Sequence, residues 1–439
     1  MGPLIVKYVT LFPLLLPLWQ ARPLTDTDLR PGPYPVIVRP EQIALQRDAF
    51  ALADRELRMT IGAELRQTHE QSAFLILLSR LGAEKDPDVL ASVVQQVEMS
   101  PFRPAGLAKV VEPLLAHPEE AVRYWTTALY GSCEGARRDL LVKALSQDPA
   151  QAVRQVAAEK LRDLPGGVTA GLWQTSGQDS DARIAAALTV GFSLGPEAPS
   201  AAAELARRLP STHEAVRFAV AARLGDLVPT LQTTLVPVLA RDAASSVRGE
   251  VAAVMGRLGR SADQSLVLGL TRDSDPEVRR RAVAAAAAYP GPATLAALVE
   301  RLEDERTLVR REAEEVIVAS DRACPAGAAV AARLARSAFP GRGHQCRVLG
   351  RVGHAESAAA IHGILGRETE PEGLRDAIYA LGLLGYRAAA ADIAALGSHA
   401  SPIVRAAVGE ALGRLRVPAT YETLRTLAFD AEDAVRQAA

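Results

Sequence analysis

Polar and apolar positions alternate in one recurring pattern along most of the chain. In residues 273–289 a polar turn leads to Pro276, and Val278, Ala282 and Ala285 follow at the i, i+4 and i+7 spacing of one helix face. Proline is tolerated in the first turn of a helix because the N–H that it lacks would have no partner there. The pattern predicts a helix that begins near Pro276 and buries an apolar stripe.

An apolar residue followed by arginine marks the same point in each copy of the pattern. Such pairs occupy positions 122–123, 153–154, 182–183, 216–217, 247–248, 278–279, 309–310, 346–347, 374–375, 404–405 and 435–436. Successive arginines are 28 to 37 residues apart, most often 31, and a degraded twelfth copy begins at Asp86. Self-similarity at a fixed period of this length predicts a stacked array of repeats.

Each copy contains two helical patterns. Before Val309, Leu295, Leu298 and Leu302 form the apolar face of a first helix, and a second face follows each apolar–arginine pair, as at residues 247–258. Neither helix can bury its apolar face alone, so the pairs must stack on neighbouring pairs. The sequence therefore predicts an all-α solenoid of about twelve helix pairs.

An acidic residue recurs five positions before the valine of several copies. These residues are Asp148, Asp242, Asp273, Asp304 and Asp430. A carboxylate at this position can accept hydrogen bonds from N–H groups at the start of the second helix, and we expect it to lie near an arginine of the repeat. His117 and His399 take its place in two copies and are predicted to be turn residues.

The Asp-x-x-x-x-Val-Arg phrase and the alanine-rich second helix resemble the HEAT-repeat family, in its short bacterial form related to phycobilisome-lyase-type HEAT-like repeats. The resemblance extends from about residue 70 to the end of the sequence. It implies a right-handed α-solenoid whose second helices line the concave side. The matching residues are structural, so the resemblance implies little about function.

Three segments are predicted along the chain. Residues 1–40 form an apolar and proline-rich arm, residues 41–69 form capping helices, and residues 70–439 form the solenoid. The expected core positions of the capping helices are Ile43, Phe50, Leu57, Ile61 and Leu65. A short strand is expected at residues 35–39.

The arm admits two interpretations. Lys7 precedes a short apolar run, as in a secretory signal, but no small-x-small cleavage site follows Trp19. Pro13 and Pro17 interrupt the run, which is also too short to span a bilayer. We expect an arm that packs on protein, with export or membrane association through residues 1–21 as the alternative.

Composition narrows the range of partners. The chain has 50 Lys and Arg against 51 Asp and Glu, a formal net charge of −1, which argues against a nucleic-acid or anionic-membrane surface. The three cysteines are scattered and form no disulfide framework, and Cys346 is expected in the core. These features favour a cytoplasmic protein.

The longest interval between arginines contains the one candidate contact site. Gly341 is expected in the aspartate's place there, and Arg342, His344 and Arg347 gather near a predicted helix start. Backbone N–H groups at a helix start can hold an anion, so these three side chains are predicted to contact an anion or a partner. The alternative is a longer loop before a structural helix.

No pattern for metal binding or catalysis is found. His344, Cys346, His354 and His362 are the only local cluster of soft ligands, and their spacing is not that of a zinc site. Deoxyhypusine hydroxylase, a HEAT-like enzyme, binds di-iron through several His–Glu pairs. This chain has only His69–Glu70 and His213–Glu214, so we expect no metal, no cofactor and no catalytic residue.

The resulting prediction is a non-catalytic scaffold or adaptor that binds another protein on its concave surface. The alternatives are a lyase-associated HEAT enzyme or enzyme subunit and, because Tyr124 and Trp125 adjoin Arg123, a nucleic-acid-binding protein. The last helix is short, so this end is expected either to be frayed or to have Leu424, Leu427 and Phe429 covered by a partner, a second copy or further sequence.

Overall fold

The computed structural model describes residues 40–338 and 340–439. Within these ranges the only regular elements are helices, and 26 α-helices form 13 consecutive pairs. The fold is the predicted all-α solenoid. The proposed arm, its signal-like run and the expected strand lie outside the described residues, and the division into three segments stays a prediction.

The chain divides into two compact units, the first of which ends at Leu161. The helices of the first unit are α1 (Pro40–Leu52), α2 (Arg55–Gln67), α3 (Gln71–Leu81), α4 (Pro87–Met99), α5 (Leu107–Val111), α6 (Glu120–Tyr130), α7 (Arg138–Gln147) and α8 (Gln151–Asp163), which ends two residues beyond the boundary. Four of the five core positions expected in α1 and α2 are buried, and Leu57 is half-buried.

The second unit extends from Arg162 to Ala439. Its helices are α9 (Ala170–Ser176), α10 (Ala182–Leu194), α11 (Ala202–Arg208), α12 (Glu214–Arg223), α13 (Pro229–Leu239), α14 (Ser245–Leu258), α15 (Gln264–Leu270), α16 (Pro276–Ala286), α17 (Pro292–Arg301), α18 (Thr307–Ser320), α19 (Gly327–Leu334), α20 (Gly341–Arg351), α21 (Ala358–Leu365), α22 (Pro371–Leu383), α23 (Ala390–Ala395), α24 (Pro402–Leu415), α25 (Tyr421–Leu427) and α26 (Asp433–Ala438).

The start of α16 shows how the repeat pattern produces a second helix. Asp275 caps the helix by accepting hydrogen bonds from the N–H groups of Glu277 and Val278, and Pro276 occupies the first turn. Val278 and Ala282 are buried at 1% and 0% exposure. The predicted stripe is therefore the surface that α16 buries against the neighbouring second helices α14 and α18.

Buried arginine–aspartate pairs join successive repeats. Nε and Nη2 of Arg279 donate to the carboxylate of Asp304 at 2.8 and 3.0 Å, and Nη1 donates to the carbonyls of Asp273 and Ser274. Asp304 also accepts from the N–H of Arg306, so the predicted role of this carboxylate is confirmed. Equivalent pairs are Arg123–Asp148, Arg217–Asp242, Arg248–Asp273 and Arg405–Asp430.

The two histidines that replace the aspartate act as predicted turn residues. Nδ1 of His117 accepts from the N–H of Glu119, and Nδ1 of His399 accepts from the N–H of Ser401. The backbone carbonyl of each histidine accepts a hydrogen bond from the arginine of the following helix, as the carbonyl of the aspartate does in other copies.

Two assignments in the arginine series are wrong. Arg342, rather than Arg347, makes the inter-repeat pair in α20, with Nη1 2.8 Å from Glu368. Gly341 thus takes the valine's place and not the aspartate's. Glu368 accepts from the N–H of Glu370 as the ladder aspartates do, so Leu374, six residues after Glu368, stands at the next arginine position. Because glycine stands at the valine position and leucine at the arginine position, the sequence pattern did not reveal the correct alignment of these two copies.

The short turn at residues 179–183 suggests shortened helices, but the structure shows helices of ordinary length there. α9 has 7 residues, as α11, α15 and α25 do, and α10 has 13. At the last pair, Leu427 and Val435 are buried and Leu424 is half-buried, while Phe429 remains 84% exposed. Leu427 is therefore already buried by this chain, whereas fraying of this end or its covering by another segment at Phe429 stays a prediction.

Candidate functional site

A cleft of about 740 Å³ crosses four successive second helices of the second unit. The lining residues span about one helical turn on each of the first three helices and about two turns on the fourth. The lining residues are Arg311, Glu314 and Glu315 from α18, Arg347 and Arg351 from α20, Arg375, Asp376 and Tyr379 from α22, and Ile403, Ala406, Ala407 and Glu410 from α24.

Glu314 is the centre of the buried part of the cleft, with 5% of its surface exposed. Its carboxylate lies 2.7 Å from Nη2 of Arg347 and 3.1 Å from Nη1 of Arg351. Nδ1 of His344 lies 3.0 Å from the same carboxylate and 2.6 Å from Nη2 of Arg347. That nitrogen can donate to Glu314 or accept from Arg347, but not both.

Asp376 is a second buried carboxylate, 3% exposed, one helix farther along the array. It accepts from Nη1 of Arg347 at 2.5 Å and from Nη2 of Arg375 at 2.7 Å. A Cβ at Gly343 would lie 2.4 Å from Oδ2 of Asp376, so only glycine leaves room for this carboxylate. Arg347 therefore bridges the acids of α18 and α22 from its place on α20.

These contacts fix the charge states of the buried groups. Burial opposes ionisation of Glu314, but the hydrogen bonds from His344 and Arg347 outweigh it and lower the pKa of Glu314 to about 2. Burial and the nearby Arg347 cation lower the pKa of His344, against the effect of Glu314. At neutral pH the floor of the cleft thus holds an ionised Glu314 and a neutral His344.

The three predicted contact residues all bind carboxylates of this chain. Arg342 binds Glu368, His344 is buried beside Glu314, and Arg347 binds Glu314 and Asp376. The geometry gives no support to a bound anion at the start of α20, because the cations there already have acidic partners. Of the three, Arg347 lines the cleft, and its contact with a partner stays a prediction.

The edges of the cleft differ from its floor. Arg311, on α18, is exposed, and no hydrogen bond or ion pair is found for it within residues 40–338 and 340–439. On the far side, Ile403 is 37% exposed, and Arg414 stacks on the ring of Tyr379 with 5.3 Å between guanidinium carbon and ring centroid. The cleft therefore combines one uncommitted cation with an apolar edge.

Further ion pairs join the second helices beside the cleft. Arg280 on α16 binds Glu312 on α18 at 3.2 Å, and Arg281 binds Glu250 on α14 at 3.1 Å. The side chains of these pairs are at most 35% exposed. They favour a fixed spacing between adjacent second helices on this face.

The sequence contained a signal for the cleft that the repeat search did not use. Lining residues recur two and six positions after the valine or its replacement, at Arg311 and Glu315 in α18, Arg375 and Tyr379 in α22, and Ala406 and Glu410 in α24. Aligning the copies on helix starts and comparing these positions would have marked the exposed side of each second helix. The incorrect register at Cys346–Arg347 concealed it in α20.

Within the part of the chain that the structure describes, no group of three or more His, Cys, Asp and Glu could hold a metal ion. Glu214 accepts a hydrogen bond from Ser246, and His213 lies 3.3 Å from the carbonyl of Asp179. Cys346 is buried as expected, and burial raises the pKa of its thiol to about 12. Among the same residues, no helix has the length and apolar character needed to cross a membrane.

Tyr124 and Trp125 lie on α6 of the first unit. Their rings are half-buried and pack edge to face, with centroids 5.0 Å apart. Arg123 is committed to Asp148 at 2.8 Å. The three residues form a packed group in which the arginine already has an acidic partner.

Comparison with protein families matches residues 232–317 to HEAT repeats. This stretch includes α14 and α16, whose Asp–Arg pairs recur in both units. The match identifies HEAT repeats at residues 232–317, within an array whose fold is all-α. A search of curated proteins gives no match.

Solved structures show the same fold. Kap121p bound to Nup53p is 15% identical with a TM-score of 0.53, and a substituted variant of Kap121p is 15% identical with a TM-score of 0.50. Each alignment covers 91% of this chain and 52% of the other, so the chain spans about half the length of Kap121p. Human deoxyhypusine hydroxylase is 20% identical over 56% of this chain and 96% of its own, with a TM-score of 0.25.

Proposed function

We propose that this HEAT-repeat solenoid is a non-catalytic scaffold that binds another protein in the cleft across α18, α20, α22 and α24. The observation that carries the proposal is the cleft itself, which four repeats build together and which no single repeat could form. Repeat arrays offer such extended surfaces for binding. Kap121p, a protein of similar fold, has been crystallised with the protein Nup53p bound.

The buried acids and arginines explain why the cleft suits binding. Arg347 holds Glu314 and Asp376 at fixed positions, so the floor is already ordered before a partner arrives. A preformed surface loses little conformational entropy on binding. The floor also lacks free charge, and a partner would not have to strip water from an unpaired buried ion.

A cytoplasmic location remains part of the proposal. Cys133, Cys324 and Cys346 are free thiols, and the first and third are buried. Free thiols are typical of reducing compartments. The bacterial origin suggested by the form of the repeat is likewise an expectation.

Site-specific photocrosslinking tests the proposal. A photoreactive phenylalanine analogue replaces Tyr379 in the cleft or, as the control, Ala360, an exposed residue of α21 in the same repeat. After irradiation in the native cell, we expect one protein to be crosslinked from position 379 and not from position 360. Crosslinking of the same proteins from both positions, or none from 379, would refute the cleft as the binding surface.

A further inference from the structure

We infer that the cleft binds an extended acidic segment of a partner protein, one that also carries an aliphatic side chain. This inference rests on the proposed function and adds the chemistry of the partner. It follows from three observations. These are which charged side chains of the cleft already have partners, where the apolar edge lies, and how far that edge is from Arg311.

The charges at the cleft favour an acidic guest. Glu314, Asp376 and Glu315 each accept hydrogen bonds from arginines, the last through both oxygens from Arg351. A basic guest would have to compete with these arginines for the three carboxylates, and with Arg414 for Glu410, which also lines the cleft and lies 3.5 Å from Arg414. Arg311 is the lining cation for which the described residues supply no acidic partner, so a carboxylate of the guest completes its pairing.

The apolar edge of the cleft favours an aliphatic side chain in the bound segment. Ile403 is 37% exposed, and Ala406, Ala407 and Tyr379 line the same cleft. An aliphatic side chain that covers this edge removes apolar surface from water on both partners. The cleft therefore discriminates against a segment that is acidic throughout.

The separation of the two features indicates an extended segment. Arg311 lies on α18 and Ile403 on α24, three second-helix steps apart. Packed helices are roughly 8–10 Å apart, which places the features about 25–30 Å from each other. An extended chain advances about 3.3 Å per residue, so roughly eight residues reach from one to the other. A nucleic acid is a poorer guest because its regularly spaced phosphates need several free cations.

Selection from a library of random octapeptides displayed on phage tests the inference directly. The immobilised full chain should enrich peptides that carry Asp or Glu at one end and Leu, Ile or Val at the other. The same selection is run on Arg311→Glu and on Arg322→Glu. Arg322 is an exposed arginine just after α18 and outside the cleft, so Arg322→Glu changes the net charge by the same amount as Arg311→Glu.

We expect Arg322→Glu to enrich the same peptides as the unsubstituted chain and Arg311→Glu to lose the acidic preference. The most enriched octapeptide, labelled with fluorescein, should bind Arg311→Glu roughly fivefold or more weakly by anisotropy. Equal melting temperatures of the two variants establish that both are folded. Enrichment of basic or uncharged peptides, no enrichment, or equal affinity for both variants would overturn the inference.

The crosslinking experiment and the phage selection test different claims, so a negative result in one can be told from a negative result in the other. A crosslink from position 379 with no acidic preference in the library leaves the cleft as a binding surface and refutes its assigned partner chemistry. An acidic preference that Arg311→Glu does not change places peptide binding elsewhere on the chain, which contradicts the inference. Absence of both signals refutes the proposed function and the inference together.

Discussion

The arginine of the repeat shows how one residue joins two neighbouring repeats. Arg279 is 6% exposed and donates to the carboxylate of Asp304, to the more exposed carboxylate of Glu305 and to two carbonyls of the loop before its own helix. Desolvation offsets much of the attraction within such a buried pair. Its main contribution is therefore to fix how one loop sits against the next, since removing either partner leaves a buried charge.

Removal of one member of this pair should be worse than removal of both. We expect Asp304→Leu to lower the free energy of unfolding by about 3 kcal/mol, because it removes the buried carboxylate of Arg279 and leaves only Glu305, whose side chain is 72% exposed, as its acidic partner. Arg279→Met combined with Asp304→Leu should recover much of that loss. Urea denaturation measures both values. A double variant as unstable as the sum of its single substitutions would show that the two residues act independently.

The buried pair of Glu314 and His344 should make stability depend on pH. The folded-state pKa of Glu314 is about 2, below the unfolded value of 4.5, so its contribution is complete above about pH 4.5 and is lost as pH falls towards 2. The pKa of His344 is also lowered from 6.5, so protonation of the unfolded chain begins to destabilise the fold below about pH 6.5.

Thermal melting between pH 3 and pH 7 tests this dependence. The unsubstituted chain should lose stability continuously as the pH falls. Glu314→Gln should start less stable at pH 7 and show a shallower loss below pH 4.5, and His344→Gln should flatten the curve between about pH 5 and 6.5. Profiles parallel to that of the unsubstituted chain would contradict these assignments.

At the scale of elements, small residues allow second helices to cross closely. A Cβ at Gly256, Gly350 or Gly382 would lie 2.8–2.9 Å from the Cα of an alanine on the next second helix. These alanines are Ala285, Ala380 and Ala411. The alanine-rich second helices are thus required by backbone approach as well as by helix propensity.

Two glycine-to-alanine substitutions distinguish the effect of close backbone approach from the effect of helix propensity. Gly350→Ala should destabilise the fold by about 1–3 kcal/mol because the new methyl group forces α20 and α22 apart. Gly363→Ala, in α21, meets no atom within 4 Å and should stabilise by up to about 1 kcal/mol through helix propensity. Denaturant midpoints compare the two. Stabilisation by both would show that the crossing relaxes without cost.

Element positions followed from the sequence where the repeat signal was intact. The polar turn at residues 273–275, Pro276 and Val278 locate the start of α16 because capping and burial depend on residues adjacent in the chain. The repeat position was assigned wrongly in α20, because Gly341 replaces the valine and the loop before this helix is longer. The contact between Glu314 and Arg347 joins residues 33 apart, and no local pattern specifies such a pair.

The cleft was less predictable than the fold for a related reason. The resemblance implied that second helices line a binding face, but not which repeats form a cleft. Its position depends on where Arg311 lacks a partner and where Ile403 is left exposed, and both are properties of neighbouring helices. Three residues were expected to contact a ligand, and the burial of His344 beside Glu314 became visible only once α18 and α20 were packed together.

At the scale of the whole molecule, each compact unit is a row of helix pairs in which second helices contact the next ones in sequence. In such an array, stability is approximately a sum of repeat terms and nearest-neighbour interface terms. Damage to one repeat should then spread to adjacent repeats and weaken with distance. The cleft at α18–α24 should tolerate changes several repeats away within the second unit.

Hydrogen exchange on Val278→Asp tests this local behaviour. Val278 is 1% exposed, so an aspartate there buries an unpaired carboxylate where α16 contacts α14 and α18. We expect amides of α14, α16 and α18 to exchange faster while those of α24 keep their protection. Leu308→Asp, at a 64% exposed position of α18, introduces the same charge and should leave exchange in all four helices nearly unchanged. Uniformly faster exchange from residue 162 to residue 439 in Val278→Asp would show that the second unit unfolds as one cooperative body rather than as neighbouring repeats.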